Sequence, residues 1–207
     1  MEPYYNEYKH HLDQLTSIIR NSGARPEGNM FFYDGNNYST MPEAMFLSKR
    51  QNIARLATMV DAIVEIGFNA GHSALLMLTA NPSLIYRGVD VGRHLYVEPC
   101  SEYLKSQFGN RFNLTINDSV KAIPKIFAIY PELQNKTIGW HIDGDHTPSV
   151  AAKDLKNVVN LSGVKDTIIM DDTDSFPLRE LIEQCAADDR IDIVFDTYNQ
   201  TFAKVRK

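Results

Sequence analysis

Ile63-Val64-Glu65-Ile66-Gly67-Phe68-Asn69-Ala70-Gly71-His72-Ser73 is the stretch whose reading decides the fold. It opens as a short apolar run, the pattern of a strand buried on both faces. It then passes through two glycines and enters Ala74-Leu75-Leu76-Met77-Leu78, an apolar run of helical character. A strand, a glycine turn and a helix start make a cradle for the polar end of a nucleotide-like ligand. Gly67 and Gly71 allow close backbone approach and positive φ. The free N–H groups of the first helical turn can receive a carboxylate or phosphate.

The loop also narrows the ligand. A dinucleotide fingerprint reads G-x-G-x-x-G after its strand. Here the spacing is G-x-x-x-G, with Asn69 where the middle glycine would stand. Glu65, at the strand end, would repel a pyrophosphate but can accept hydrogen bonds from an ammonium group. That combination suits the methionine end of S-adenosylmethionine, which carries an amine and a carboxylate.

The 207 residues, 43% hydrophobic, are enough for one good-sized core. A formal net charge of −5 with no basic stripe argues against nucleic acid as the main partner. The two cysteines, Cys100 and Cys185, sit in no motif and read as small core residues rather than as a disulfide. Met1-Glu2-Pro3-Tyr4-Tyr5 lacks the apolar segment of a signal peptide, and no run approaches the length of a membrane span. The expectation is a cytoplasmic protein without membrane partners, with a homodimer left open.

Residues 3–21 read as a helix with Leu12, Leu15, Ile18 and Ile19 at helical spacing and His10, His11 and Arg20 among the polar positions, the two histidines on a solvated face rather than at a metal site. Asn21-Ser22-Gly23 ends it. The aromatic, turn-rich loop 25–41 reads either as a surface loop tied down by its aromatics or as a lid over a pocket. Pro42-Glu43 opens a second helix to Met59, with Ala44, Leu47, Ile53, Ala54 and Leu56 inward. From Asp61 onward strands at 61–66, 84–90, 111–116, 136–142 and 166–171 alternate with helices at 72–80, 97–108, 118–129 and 148–161. A helix at 176–187 follows, then two strands, 191–197 and 201–206, joined too tightly for a parallel crossover. The pattern is α/β: a doubly wound, mostly parallel seven-stranded sheet with a C-terminal antiparallel hairpin and an N-terminal helical extension. The whole chain reads as one domain, 1–59 supplying helices and the candidate lid, 60–207 the cofactor-binding core.

In an open α/β sheet, ligands bind beyond the carboxyl ends of the strands. The second strand ends at Asp90, which can bond both hydroxyls of a ribose or simply face water. The third ends at Asp118-Ser119, which cap the next helix and can also reach an adenine edge. The fourth leads into His141-Ile142-Asp143-Gly144-Asp145-His146-Thr147-Pro148, and the fifth into Asp171-Asp172-Thr173-Asp174. Carboxylates crowded there repel, so a bound cation is the economical explanation, and oxygen ligands suit a hard ion such as Mg²⁺. The competing reading is a solvated acidic rim. A zinc site from His141 and His146 is disfavoured because neighbouring strand residues alternate faces and no cysteine is near.

These motifs together resemble the cation-dependent O-methyltransferases of the catechol and caffeoyl-coenzyme A type, and a broader bacterial group that includes sugar O-methyltransferases. The resemblance covers roughly residues 40–207, and the N-terminal segment matches poorly. The stretch Glu65 to Ser73 is similar to that family's E-[IL]-G-x-x-x-G-[YH]-S cofactor loop. The resemblance implies that Glu65, Gly67, Phe68, Asn69, Gly71 and Ser73 hold the methionine end, Asp90 the ribose, and Asp118 and Ser119 the adenine. It implies metal ligands at Asp143, Asp171 and Asp172, the last being asparagine in many members. The family's lysine base is replaced here by His146, which can take a proton as a neutral imidazole.

The activity expected is S-adenosylmethionine-dependent methylation of a small-molecule hydroxyl on a catechol, polyphenol or sugar diol, with Mg²⁺ or another divalent cation, His146 as base and Asp143 at the reacting centre. Two alternatives stand beside it: an NAD-dependent oxidoreductase, which Glu65 and the glycine spacing oppose, and a non-catalytic cofactor-binding interaction module, which the lysine-to-histidine departure keeps open.

Overall fold

The computed structural model describes residues 4–33, 42–197 and 199–206. Along the chain come α1 (Tyr5–Asn21), a 3-10 turn at Ala44–Phe46, α2 (Leu47–Met59), β1 (Ala62–Ile66), α3 (His72–Ala80), β2 (Ile85–Asp90), α4 (Val97–Phe108) and β3 (Phe112–Ile116). Then follow α5 (Ser119–Ala122), α6 (Ile126–Ile129), β4 (Ile138–Ile142), α7 (Pro148–Leu161), β5 (Thr167–Asp171), α8 (Phe176–Ala187), β6 (Ile191–Asp196) and β7 (Gln200–Val205). Hydrogen bonding orders the strands β3-β2-β1-β4-β5-β7-β6. β1, β4 and β5 pair parallel, and β5–β7 and β7–β6 pair antiparallel. This is the seven-stranded, mostly parallel sheet with a terminal hairpin that the strand–helix alternation predicts. Each predicted strand edge lies within two residues of the observed one. Among the described residues, no helix is long and apolar enough to cross a membrane.

By contact the chain falls into two compact units. One takes residues 1–59, 68–86 and 92–114. In it, α1 buries Tyr8, Leu12, Leu15 and Ile19, a one-face stripe, and packs on α3 and α4. α3 is buried on nearly every side from His72 to Leu78, as its unbroken apolar run requires. Arg50 of α2 is fully buried: its guanidinium donates to the carbonyls of Met30 and Glu43, at 2.8 and 3.0 Å, and lies over the Phe31 ring. Glu43 N–H in turn donates to the Phe31 carbonyl, and Tyr33 N–H to the Glu43 carboxylate. Both ends of the aromatic loop are therefore tied to one side chain. Residues 34–41, the remainder of the candidate lid, lie outside the described residues.

The other unit takes residues 60–67, 87–91 and 115–207. Every residue of β1 and of β4 is buried. Asp166 anchors the start of β4 by accepting from Ile138 N–H, Trp140 Nε1 and Gly163 N–H. α7 begins at Pro148, where a missing N–H costs nothing, and turns Ala151, Asp154, Leu155, Val158 and Val159 inward. Arg179 of α8 ties the turn after β5 to the hairpin, donating to Thr173 and Thr197 carbonyls and pairing with Asp196 at 2.6 Å.

Three expectations are corrected. The helix expected over 118–129 is two short helices joined by a 3-10 turn at Ile123–Lys125, because Pro124 has no N–H to continue the ladder. His11 is not on a solvated face: its Nδ1 meets the Tyr103 hydroxyl at 2.7 Å between the Tyr103 and Phe108 rings. Before and in α2, Ile53, Ala54 and Leu56 are buried as expected, but Ala44 is exposed and Leu47 half-buried, while Lys49 and Arg50 are buried too, the guanidinium finding backbone carbonyls to satisfy it.

Replacing Arg50 by Met keeps the apolar bulk but takes the guanidinium donor from the Met30 carbonyl and leaves the Glu43 carbonyl only Phe46 N–H. Denaturant unfolding of Arg50→Met should show a loss of about 2–4 kcal/mol.

Candidate active site at the strand ends

The strand order reverses between β1 and β4, the place where an open α/β sheet opens a crevice at its carboxyl edge. The ladder continues past both strands: Asp143 N–H donates to the Ile66 carbonyl and Gly67 N–H to the Val89 carbonyl, each at 2.9 Å. Gly67 has φ +92°, and a Cβ there would overlap the Asp143 carbonyl. This glycine is required by the approach of β4's exit to β1's exit. Gly71, at φ +77°, precedes the first residue of α3, and a Cβ would meet the Phe68 ring and Leu104. Asn69 has φ +50°, a left-handed conformation that asparagine tolerates. That is how the loop manages without a middle glycine. Phe68 packs its ring against Phe112 and is buried, as are His72 and Ser73. Burial pulls the His72 imidazole down to about 3.

At the end of β1, Glu65 is completely buried and faces His141, its register partner on β4. His141 Nδ1 lies 2.6 Å from Glu65 Oε1, and Nε2 lies 3.5 Å from Asp171 Oδ2 at the end of β5. Burial works against charge on this ring, but the hydrogen bonds to Asp171 and Glu65 and the charges of Glu65 and Asp143 outweigh it, pushing it up to about 10. These surroundings favour the protonated ring, whose Nδ1 is hydrogen-bonded to Glu65 while Nε2 faces Asp171 at ion-pair distance.

Asp143 belongs to two groups of convergent donors. One is His141, Asp143 and Asp171; the other is Asp143, His146 and Asp172; within each, the ligand atoms lie within 4.8 Å of one another. Asp171 and Asp172 thus fall in different groups, with Asp143 common to both. Asp172, at φ +52°, meets the exposed His146, whose Nε2 lies 3.3 Å from its Oδ2. The three acids expected to share an ion are brought to one strand edge, each group with a histidine added. In the buried group the positive charge is supplied by His141 itself. The more open group offers two carboxylates and an imidazole, a donor set that fits a divalent ion of borderline character such as Mn²⁺ as well as a hard one.

Asp90, half-buried, ends β2, and its carbonyl accepts from Asn117 N–H. Asp118 caps α5 by accepting from Val120 N–H at 3.0 Å. Ser119 donates to Asp154 of α7 at 3.0 Å. Asp154 is 1% exposed, and among the described residues its Oδ1 makes no hydrogen bond. Burial raises its carboxyl to about 6, against the Ser119 hydroxyl and with the Asp118 and Asp145 charges adding. His141 and Asp154 are the residues that sequence reasoning missed. Both carried a signal. His141 stands two residues before Asp143, hence on the same strand face, in a run otherwise apolar. Asp154 occupies an inward position on the apolar stripe of α7.

A family model described as a methyltransferase domain matches residues 64–173. No curated protein matches the chain. Among solved structures, apo CalS11, a TDP-rhamnose 3'-O-methyltransferase of calicheamicin biosynthesis, is similar with a TM-score of 0.63 at 13% identity, over 99% of this chain and 95% of that one. The SAH-bound methyltransferase PaMTH1 of Podospora anserina gives 0.62 at 13%, over 100% and 97%. An O-methyltransferase from Bacillus cereus in complex with SAH gives 0.62 at 13%, over 99% and 96%. At such identities the likeness is one of fold.

Two outcomes follow for this edge. Gly67→Ala cannot be accommodated without moving Asp143, so its thermal unfolding should show a loss of more than about 3 kcal/mol. Asp154 has a folded pKa above its ordinary 3.8, so its contribution to stability is complete below that value and is lost as pH rises to about 6. The difference in melting temperature between wild type and Asp154→Asn should therefore move in favour of the variant across that window.

Proposed function

The chain belongs to the methyltransferase-domain family, and we propose that it transfers a methyl group from S-adenosylmethionine to a hydroxyl of a small molecule bearing a diol, such as a catechol or a sugar. The observation that carries this reading is the convergence of Asp143, His146 and Asp172 within 4.8 Å at the strand ends. Two solved relatives of the same fold hold SAH, and CalS11 acts on a sugar hydroxyl. Both facts favour the same reading here.

Glu65 and the turn from Gly67 to Ser73, including Phe68, Asn69 and Gly71, would take the methionine end of the cofactor, Asp90 the ribose, and Asp118 and Ser119 the adenine. A divalent cation, when bound by Asp143 and Asp172 with Asp171 behind them, supplies a Lewis acid that lowers the pKa of the acceptor hydroxyl. Asp172 orients the His146 ring through Nε2–H, which leaves Nδ1 as the nitrogen that takes the acceptor's proton. The deprotonated oxygen would then be placed to take the methyl group, the bonding pair staying with the cofactor's sulfur. Holding the two reactants in line at near-attack distance is the scaffold's main contribution.

Calorimetry should show S-adenosylhomocysteine binding and no NAD binding. Methyl transfer from labelled S-adenosylmethionine to a catechol and sugar-diol panel should fall on adding EDTA. It should fall by about 10²–10⁴-fold in His146→Gln with cofactor affinity kept. NAD binding in place of S-adenosylhomocysteine, or full transfer by Asp143→Asn, would overturn the reading.

A further inference from the structure

Stability alone gives no reason for an ionic row where Glu65, His141 and Asp171 stand. All three are at most 2% exposed, in strands otherwise filled by apolar side chains. Well-packed apolar residues in such a place are commonly as stable as the ion pair or more so. Sheet geometry explains how the three meet. Glu65 and His141 are register partners across β1 and β4, and His141 is the partner of Ile169 on β5. Asp171 lies two residues beyond Ile169, on the same face. The two ring nitrogens of His141 are thereby aimed at carboxylates on opposite neighbours, at 2.6 Å and 3.5 Å.

Resting on the reading above, we infer that His141 is a positioning residue: it fastens the cofactor-side carboxylate of Glu65 and the acceptor-side carboxylate of Asp171 into one row, so that occupancy of either side is felt at the other. The ring holds Oε1 of Glu65 at Nδ1 and keeps Oδ2 of Asp171 beside Nε2. A displacement of either carboxylate by its ligand is passed through a rigid, planar group that touches both, at 2.6 and 3.5 Å. By linkage, the factor by which a cation tightens the cofactor equals the factor by which the cofactor tightens the cation.

The amides of asparagine and glutamine separate the two contacts. Asparagine places its N–H₂ near the position of Nδ1 and keeps the donor to Glu65; glutamine places its own near Nε2 and keeps the donor to Asp171. Titrations of the full chain with S-adenosylhomocysteine and with Mn²⁺, the latter also followed by electron paramagnetic resonance, test this. His141→Asn should hold S-adenosylhomocysteine within about threefold of wild type and lose about tenfold or more in Mn²⁺ affinity. His141→Gln should do the reverse, and His141→Phe should weaken both and abolish their mutual enhancement. Equal losses of both ligands in Asn and Gln variants, or a lowered melting temperature with both affinities intact, would overturn the inference and leave His141 a core residue. Wild-type protein that binds S-adenosylhomocysteine but not Mn²⁺ also overturns it, with the functional reading of the cofactor intact. Wild-type protein that fails to bind S-adenosylhomocysteine overturns that reading, and the inference with it.

Discussion

A cationic imidazole enclosed between two carboxylates is the interaction on which this strand edge depends. Removing an ion from water costs several kcal/mol even after relaxation, and only close opposite charges with good hydrogen bonds offset it. His141 meets that condition toward Glu65 at 2.6 Å, and Asp171 adds a second opposite charge at 3.5 Å. The demand spreads outward from there. β1, β4 and β5 must keep their register, because a slip of one residue would turn each charged side chain to the opposite face. Asp166 at the start of β4 and Arg179 beyond the end of β5 hold that register from both directions. Gly67 must lack a Cβ because β4's exit passes directly over it.

Most of the architecture was legible because it depends on periodicity and on turns. The apolar runs at Ala62–Ile66 and Ile138–Ile142 are too short for helices and too continuous for half-exposed strands. The turn Tyr198-Asn199-Gln200 is too short for anything but a hairpin. The errors came where a single residue overrode a pattern. Pro124 broke a helix whose apolar spacing was sound. Arg50 entered the core because carbonyls from the aromatic loop were waiting for it.

The site was legible in its acids and less so in their partners. Asp143, Asp171 and Asp172 do reach one edge, since strand ends of neighbouring parallel strands must. What sequence spacing could not give is the direction in which each side chain turns. Consecutive residues at a strand end part company once one of them leaves extended backbone, as Asp172 does at φ +52°. A histidine two residues before an aspartate in a buried strand was the available clue that one of the acids had an internal counter-charge.

That counter-charge alters what the edge can accept. Glu65, Asp143, Asp171 and Asp172 carry four formal negative charges and His141 returns one, leaving three. On the proposed reading a divalent cation and a sulfonium would together bring three positive charges, matching the edge as a pair and leaving it over-charged with either alone. On the proposed mechanism the proton that His146 takes from the acceptor would replace the charge that the sulfonium loses, and the edge would be over-charged again once that proton has left. In a partly desolvated crevice a change of one unit at close range is worth several kcal/mol before screening. The same row of charges that would draw the reactive cofactor in would therefore favour its exchange once the methyl group and that proton have gone.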